Sequence, residues 1–161
     1  MLDSFDDRLE MGARNLLINC ANCQPEQKLL IVYETENDHY FDPELAFGIE
    51  QVGRQLGLET EMFGVPLHRD VCDPDAVLAA KMEAAACTVF LARLGDQIRF
   101  RPQHASMNQI VSYVLDREML ASPFGMIDYQ AFESLNTLIN QAVSDAAEIH
   151  VTCPAGTDFK G

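Results

Sequence analysis

The sequence predicts an α/β fold with three layers, in which a parallel sheet carries helices on both faces. Short apolar runs with strand character alternate along the chain with segments whose apolar residues recur at helical spacing. Helices between successive strands make parallel crossovers, which place the helices on both faces of the sheet. A chain of 161 residues is long enough to bury one core. We therefore predict a single flavodoxin-like or Rossmann-like α/β domain over residues 1–161.

The first half of the chain supplies two helices and two strands. A helix is predicted over residues 4–22, although Gly12 weakens its middle. Lys28–Glu34 is a continuous apolar run, typical of a strand that is covered on both faces. A second helix is predicted over residues 42–57. It opens with an Asp-Pro pair, which is typical of an N-cap followed by proline at the first helical position. Residues 61–65 are predicted to form the second strand.

The second half continues the alternation. A second Asp-Pro pair, Asp73-Pro74, predicts the start of the next helix. The further predicted elements are, in chain order, a buried strand at 88–91, a short edge strand or hairpin arm at 97–100, a helix at 108–120, a short strand at 124–127, an amphipathic helix around 132–143 and a buried closing strand at 148–153.

The strongest compositional feature is a formal net charge of −14. A polyanion repels nucleic-acid phosphates and acidic lipid surfaces, so we expect neither as a partner. Two interpretations of the charge stay open, namely solubility alone or attraction of a basic peptide. No window approaches the ~18 continuous apolar residues of a membrane span, and the acidic N-terminus lacks the features of a secretion signal. The predicted location is the cytoplasm.

Motifs for cofactors, phosphates and redox chemistry are missing from the sequence. There is no Gly-x-Gly-x-x-Gly, no P-loop, no His-Glu-x-x-His and no Gly-x-Ser-x-Gly, so we expect no cofactor. The five cysteines are scattered and odd in number, which does not fit a disulfide framework. Cys20 and Cys23 have the Cys-x-x-Cys spacing, but they lie at the end of a predicted helix, so a structural role is favoured.

Candidate ligand-binding residues follow the first predicted strand. Ligands of open parallel sheets bind beyond the carboxyl ends of the strands. The most polar loop of the chain, residues 34–42, reaches that edge and contains Glu34, Glu36, Asp38 and His39. The loop can serve as a contact surface for a polar ligand or a basic peptide, or merely cap the following helix. A metal site is disfavoured, because no second histidine lies at ligand spacing.

A second candidate follows the third predicted strand, where Arg93 and Asp96 lie. Arg93 can hold a ligand carboxylate with bidentate geometry; alternatively, it pairs with Asp96 and only fixes the turn. Arg99 and Arg101 alternate with apolar neighbours, which indicates a strand with one basic face.

Three segments carry a resemblance to a known family: Lys28–Glu34, residues 84–91 (Ala-Ala-Ala-Cys-Thr-Val-Phe-Leu) and residues 147–158 (Ala-Glu-Ile-His-Val-Thr-Cys-Pro-Ala-Gly-Thr-Asp). They resemble the N-terminal domain of thermophilic-type metallo-aminopeptidases and their dihydroxypyridine dioxygenase relatives. The resemblance implies a domain that helps to form a dimer and walls the substrate cavity. In that family a C-terminal domain carries the metal ligands. None of those ligand motifs has a counterpart here, so no catalytic residue and no metal ligand is predicted.

Two functional hypotheses follow. The first is a non-catalytic, homodimeric peptide-binding or adaptor protein that serves a peptide-modifying biosynthetic pathway. The second is the N-terminal half of a split or truncated metal-dependent aminopeptidase-like hydrolase. A small-molecule enzyme on the same scaffold has no constellation of residues in its favour.

Overall fold

The computed structural model describes residues 4–35, 39–70, 72–102 and 107–161. The chain divides into two compact units, Met1–Ile127 and Asp128–Gly161. In the part of the chain described, no helix combines the length and the apolar character needed to cross a membrane.

The first unit is built on a parallel sheet. Its described strands are β1 (Lys28–Glu34), β2 (Glu59–Val65), β3 (Cys87–Leu91) and β4 (Gln109–Val111), in the spatial order β2-β1-β3-β4. β1 and β3 lie in the middle and are almost entirely buried. Their continuous apolar sequences suit this position, because a central parallel strand is covered on both faces.

Helices cover both faces of this sheet. They are α1 (Phe5–Arg14), which continues into a π-helical segment (Asn15–Cys20), α2 (Pro43–Gln55), α3 (Ala76–Ala84), α4 (Arg93–Ile98) and α5 (Arg117–Leu120). On one face α1, α2 and α5 pack with Leu29 and Ile31 of β1. On the other face α3 and α4 pack with Leu30 and Val32. The alternation of burial along β1 thus separates two cores, and the predicted three-layer α/β fold is confirmed.

Helix starts agree with simple capping rules, with one shift. Asp42 caps α2 by accepting a hydrogen bond from the backbone N–H of Glu44, ahead of Pro43 at the first helical position. At the second Asp-Pro pair the cap is Asp75 rather than Asp73, and its carboxylate accepts from the N–H of Leu78. The third helix therefore begins after Asp75.

Three predicted elements between residues 97 and 127 are wrong. Residues 97–100 are not a strand, because Leu94 and Ile98, four residues apart, are both buried on one face of α4. Most of residues 108–120 is not helical. Gln109–Val111 pairs in parallel with β3, and only Arg117–Leu120 forms a helix. The β-branched pair Ile110 and Val111 suits an edge strand.

Residues 124–127 form a turn instead of the predicted strand. The side-chain amide of Asn15 donates hydrogen bonds to the carbonyls of Gly125 and Ile127, both at 2.9 Å. A side chain at Gly125 has no room, since an ideal Cβ there would lie 2.1 Å from the carbonyl oxygen of Leu120. The turn is therefore held to the end of α1 by Asn15 and packed closely against the end of α5 at Leu120.

The second unit contains a helix and a hairpin. α6 (Tyr129–Asp145) begins at its N-cap Asp128 and is the predicted amphipathic helix. β5 (His150–Thr152) pairs with β6 (Asp158–Lys160) in an antiparallel hairpin. The prediction of a buried closing strand is wrong, because β5 is exposed. Gly156 has a φ of 102°, which only glycine adopts easily, and it turns the chain back.

The cysteines are all free thiols. Cys23 is buried and forms a side-chain hydrogen bond with Cys87, which lowers the pKa of Cys23 and raises that of Cys87. Burial raises the pKa of Cys20. Within the core, the thiol of Cys23 therefore contacts Cys87 of β3.

Candidate ligand-binding site at the carboxyl edge of the sheet

The site lies where the carboxyl ends of β1 and β3 meet. The chain runs from β1 outward to β2 and returns to β3 on the other side of β1. Such a reversal of strand order opens a crevice at the carboxyl ends, which is where open α/β sheets bind ligands. Here β1 ends at Glu34, and β3 is followed by Ala92 and Arg93.

The carboxylate of Glu34 lies between the loop after β1 and the start of α4. Its side chain is buried and accepts three backbone hydrogen bonds, from Tyr40 and Phe41 at Oε2 and from Arg93 at Oε1 (2.8 Å). Ala92 at the N-cap of α4 has no capping side chain, so Glu34 supplies the missing acceptor from a different strand. Glu34 thus fixes both the loop after β1 and the start of α4.

Of the other loop residues named from the sequence, only His39 is among the described residues. His39 is exposed to solvent, and Glu36 and Asp38 lie outside the described residues. Direct ligand contact by Glu34, Glu36, Asp38 and His39 stays a prediction. What the geometry adds is a positioning role for Glu34, because its hydrogen bonds hold Tyr40 and Arg93.

Asp96 is the centre of a network of polar side chains beside this crevice. Its carboxylate lies 3.2 Å from Nη2 of Arg99 and 4.0 Å from Nη1 of Arg93. The phenol of Tyr113, which follows β4, donates a 2.7 Å hydrogen bond to Oδ1. The Arg93–Asp96 pair expected from the sequence is therefore present, but Asp96 lies closer to Arg99 and Tyr113. The hydrogen bond to Asp96 raises the pKa of Tyr113.

Exposed aromatic rings flank the two arginines. The guanidinium of Arg93 lies 5.5 Å from the ring centre of Tyr40, and that of Arg99 lies 4.4 Å from Phe100 and 5.6 Å from Tyr113. These rings are 52%, 80% and 49% exposed for Tyr40, Phe100 and Tyr113. Guanidinium groups stack favourably on aromatic faces. We call the six residues the edge cluster: Tyr40, Arg93, Asp96, Arg99, Phe100 and Tyr113.

Sequence reasoning found two members of the edge cluster and missed four. Arg99 was assigned to a strand, which would have separated it from Asp96. In α4 and its C-cap, Arg93, Asp96 and Arg99 follow one another at intervals of three, so they share one side of the helix. That spacing is the sequence feature that could have identified Arg99 as a neighbour of Asp96. Nothing in the local sequence of Tyr40 or Tyr113 indicates that they approach α4, because sheet order brings them there.

Two described clefts lie away from the edge cluster. One of about 290 Å³ is lined by residues of α1 and α2 together with Arg117, and none of its lining residues is aromatic. Another of about 190 Å³ is lined mainly by apolar residues, among them Ile18, Pro25 and Leu58. Within the described ranges, no group of three histidine, cysteine or acidic side chains is placed to hold a metal ion.

The fold defines the class of this protein as a three-layer α/β domain with a parallel sheet and a polar, aromatic carboxyl edge. No family model matches the chain, and no curated protein matches it in sequence. Among solved structures it is similar to 2,5-dihydroxypyridine dioxygenase from Pseudomonas putida KT2440, with a TM-score of 0.61 and 15% identity.

The alignment covers 98% of this chain and 47% of the dioxygenase, so the chain spans about half the length of that protein. At this identity the similarity shows a common fold. The dioxygenase part of the predicted resemblance is supported at that level, whereas no family or sequence match supports an aminopeptidase-like domain.

Proposed function

We propose that the protein is a non-catalytic peptide-binding or adaptor protein, that it acts as a homodimer, and that it serves a peptide-modifying biosynthetic pathway. The observation that carries the proposal is the edge cluster, in which exposed aromatic rings and arginines converge at the carboxyl edge of the sheet, the edge at which open parallel sheets bind ligands. Tyrosine and arginine, together with tryptophan, are enriched among the residues that dominate the energetics of protein contacts.

The edge cluster is also held in place before any ligand arrives. The backbone of Tyr40 is fixed by Glu34, and the phenol of Tyr113 is fixed by Asp96. Side chains that are already ordered lose less conformational entropy on binding, and this increases affinity for a given contact area. An aromatic surface of this kind suits a peptide better than a fully enclosed small molecule, because its rings are exposed.

The charge of the chain supports a basic peptide as the partner. The net charge of −14 attracts a cationic segment over a distance that depends on ionic strength. The aromatic rings of the edge cluster then supply local contacts that do not require opposite charge. We therefore expect binding that weakens with salt but does not vanish.

Isothermal titration with basic, neutral and acidic peptides of equal length, each at low and high salt, tests this proposal. We expect the basic peptides to bind most tightly. Tyr40→Ala should weaken binding by about tenfold or more, as expected for an aromatic anchor. Phe124→Ala is the matched control, since Phe124 is similarly exposed at 56% and lies outside the edge cluster. Failure of every peptide to bind, or equal loss in both variants, would contradict the proposal.

The homodimer part of the proposal is supported by α6. Its apolar residues Phe132, Leu135, Leu138, Ile139 and Val143 are exposed, and Glu133 and Asp145 are its only charged residues. Two copies of a strongly acidic chain meet with least repulsion through a face of low charge. We expect a dimer in sedimentation equilibrium, converted to monomer by Leu138→Lys. A wild-type monomer at all concentrations would contradict this part.

The alternative is the N-terminal half of a split or truncated metal-dependent aminopeptidase-like hydrolase. The observation that favours it is that a solved enzyme with this fold is about twice as long as this chain. Metal-dependent peptide cleavage after addition of a separately encoded second half would support the alternative. Peptide binding without cleavage in that mixture would favour the adaptor.

A further inference from the structure

We infer that Arg93 and Arg99 form a carboxylate subsite within the edge cluster, and that the bound peptide places a carboxylate there. The inference rests on the proposed peptide binding and names the chemistry that the peptide brings. The carboxylate comes either from the C-terminus of the peptide or from an acidic side chain. Both have the same planar pair of oxygens, which arginine binds with two parallel hydrogen bonds.

Arg93 has donors to spare for such a ligand. Among the described residues, the carboxylate that pairs with its guanidinium is Asp96, and at 4.0 Å this contact is at the outer limit of an ion pair. The side chain is 41% exposed, and its guanidinium lies beside the ring of Tyr40. A guanidinium carries five N–H donors, so most of those on Arg93 are open to an incoming oxygen.

Arg99 contributes a second, more rigid guanidinium. It pairs with Asp96 at 3.2 Å and lies against the rings of Phe100 and Tyr113. Its Nε is buried and has no hydrogen-bond partner among the described residues. Because that Nε is buried, a ligand oxygen meets Arg99 through its Nη donors, and the side chain as a whole is 35% exposed.

The guanidinium donors of the edge cluster exceed what Asp96 can accept. Arg93 and Arg99 share its single carboxylate, and Oδ1 of that carboxylate also accepts from Tyr113. The buried carboxylate of Glu34, bonded to the backbone N–H of Arg93, balances the second guanidinium charge, so the subsite depends on directed donors and not on a net positive charge. A basic peptide is attracted by the whole chain, and these donors then orient its carboxylate.

The test is isothermal titration of the whole chain with one basic peptide in four forms. The C-terminus is either free or amidated, and one internal residue is either glutamate or glutamine. We expect wild-type affinity to fall by about tenfold to a hundredfold when the relevant carboxylate is removed, the range for hydrogen bonds to charged groups. A fall on amidation identifies the C-terminus, and a fall on the glutamate change identifies the side chain.

The matched variants are Arg93→Gln and Arg101→Gln. Arg101 has similar side-chain exposure, 36%, but it pairs with Asp73 at 3.6 Å, outside the edge cluster. In Arg93→Gln we expect weaker binding and no remaining difference between carboxylate and amide forms, which is the signature of direct coupling. Arg101→Gln should keep the difference. Thermal unfolding of each variant confirms that it is folded.

The outcomes separate this inference from the function on which it rests. Equal affinity of wild type for all four peptides would overturn the carboxylate subsite and leave peptide binding intact. An unchanged preference for the carboxylate in Arg93→Gln would overturn it as well. Absence of binding by any of the four would overturn both the proposed function and the subsite.

Discussion

Replacement of Glu34 by glutamine is expected to lower the free energy of unfolding by about 2–4 kcal/mol, since one or two backbone donors lose a buried, charged acceptor. The wild-type carboxylate accepts from Tyr40, Phe41 and Arg93 with its two oxygens. Glutamine has one acceptor oxygen, and its amide nitrogen would face at least one of these N–H groups. Relief from burying a charge offsets only part of this loss.

Urea unfolding followed by circular dichroism measures this effect. The control is Glu59→Gln, which makes the same chemical change at an exposed position at the start of β2. Exposed substitutions of this kind change stability by about 0.5 kcal/mol or less. If both variants unfold at the wild-type urea concentration, the hydrogen bonds of Glu34 do not hold the carboxyl edge together.

Replacement of Gly12 by alanine is expected to lower the free energy of unfolding by about 2–3 kcal/mol, in the range for overpacking a tight contact. An ideal Cβ at this position would lie 2.2 Å from the carbonyl oxygen of Leu120. That neighbour is backbone, so either α1 or α5 must move. The intrinsic preference of helices for alanine over glycine, about 1 kcal/mol, is too small to compensate.

Gly48→Ala, on a neighbouring helix, is expected to change the free energy of unfolding in the opposite direction. Gly48 lies inside α2, and the nearest atom to its ideal Cβ is 3.8 Å away, an ordinary contact. There alanine should raise the free energy of unfolding by about 0.5–1 kcal/mol. Denaturant unfolding of Gly12→Ala and Gly48→Ala under the same conditions measures both changes. Stabilisation by both would mean that α1 and α5 do not approach each other closely at Gly12.

Local sequence was sufficient for the elements that depend on burial alone. The continuous apolar run of β1 gave its bounds, Lys28–Glu34, and the Asp-Pro pair gave the start of α2. In both cases the signal lies within the segment itself, either as an apolar run or as a cap followed by proline. Gly12 shows what local sequence cannot predict. Its sequence context indicates only a weakened helix, whereas glycine is required there because the backbone of Leu120 lies too close for a side chain.

Segments whose conformation depends on distant partners were predicted wrongly. Gln109–Val111 becomes a strand by pairing with β3, and residues 124–127 are fixed as a turn by the side chain of Asn15. Neither partner is visible in a local window. The error at residues 97–100 also hid Arg99 from the candidate site, since a strand would have directed it away from Asp96.

Glu34, Arg93 and Asp96 lie at the carboxyl edge of the sheet, as expected from the sequence, and ligand binding by them stays a prediction. The rule that ligands bind beyond the carboxyl ends of parallel strands led to Glu34, Arg93 and Asp96. Sequence could not show that Glu34 turns inward to bind backbone N–H groups. Nor could it show that Tyr113 reaches Asp96, because that contact requires β4 to lie beside β3.

The most direct measurement is a set of amide NMR spectra of the whole chain during titration with a basic peptide that carries a free carboxylate. The expected result is that the largest shifts occur at Tyr40, Arg93 and Tyr113, whose elements form the carboxyl edge. Shifts confined to the cleft lined by α1 and α2, around Leu9 and Gln51, would contradict a binding site at the edge cluster.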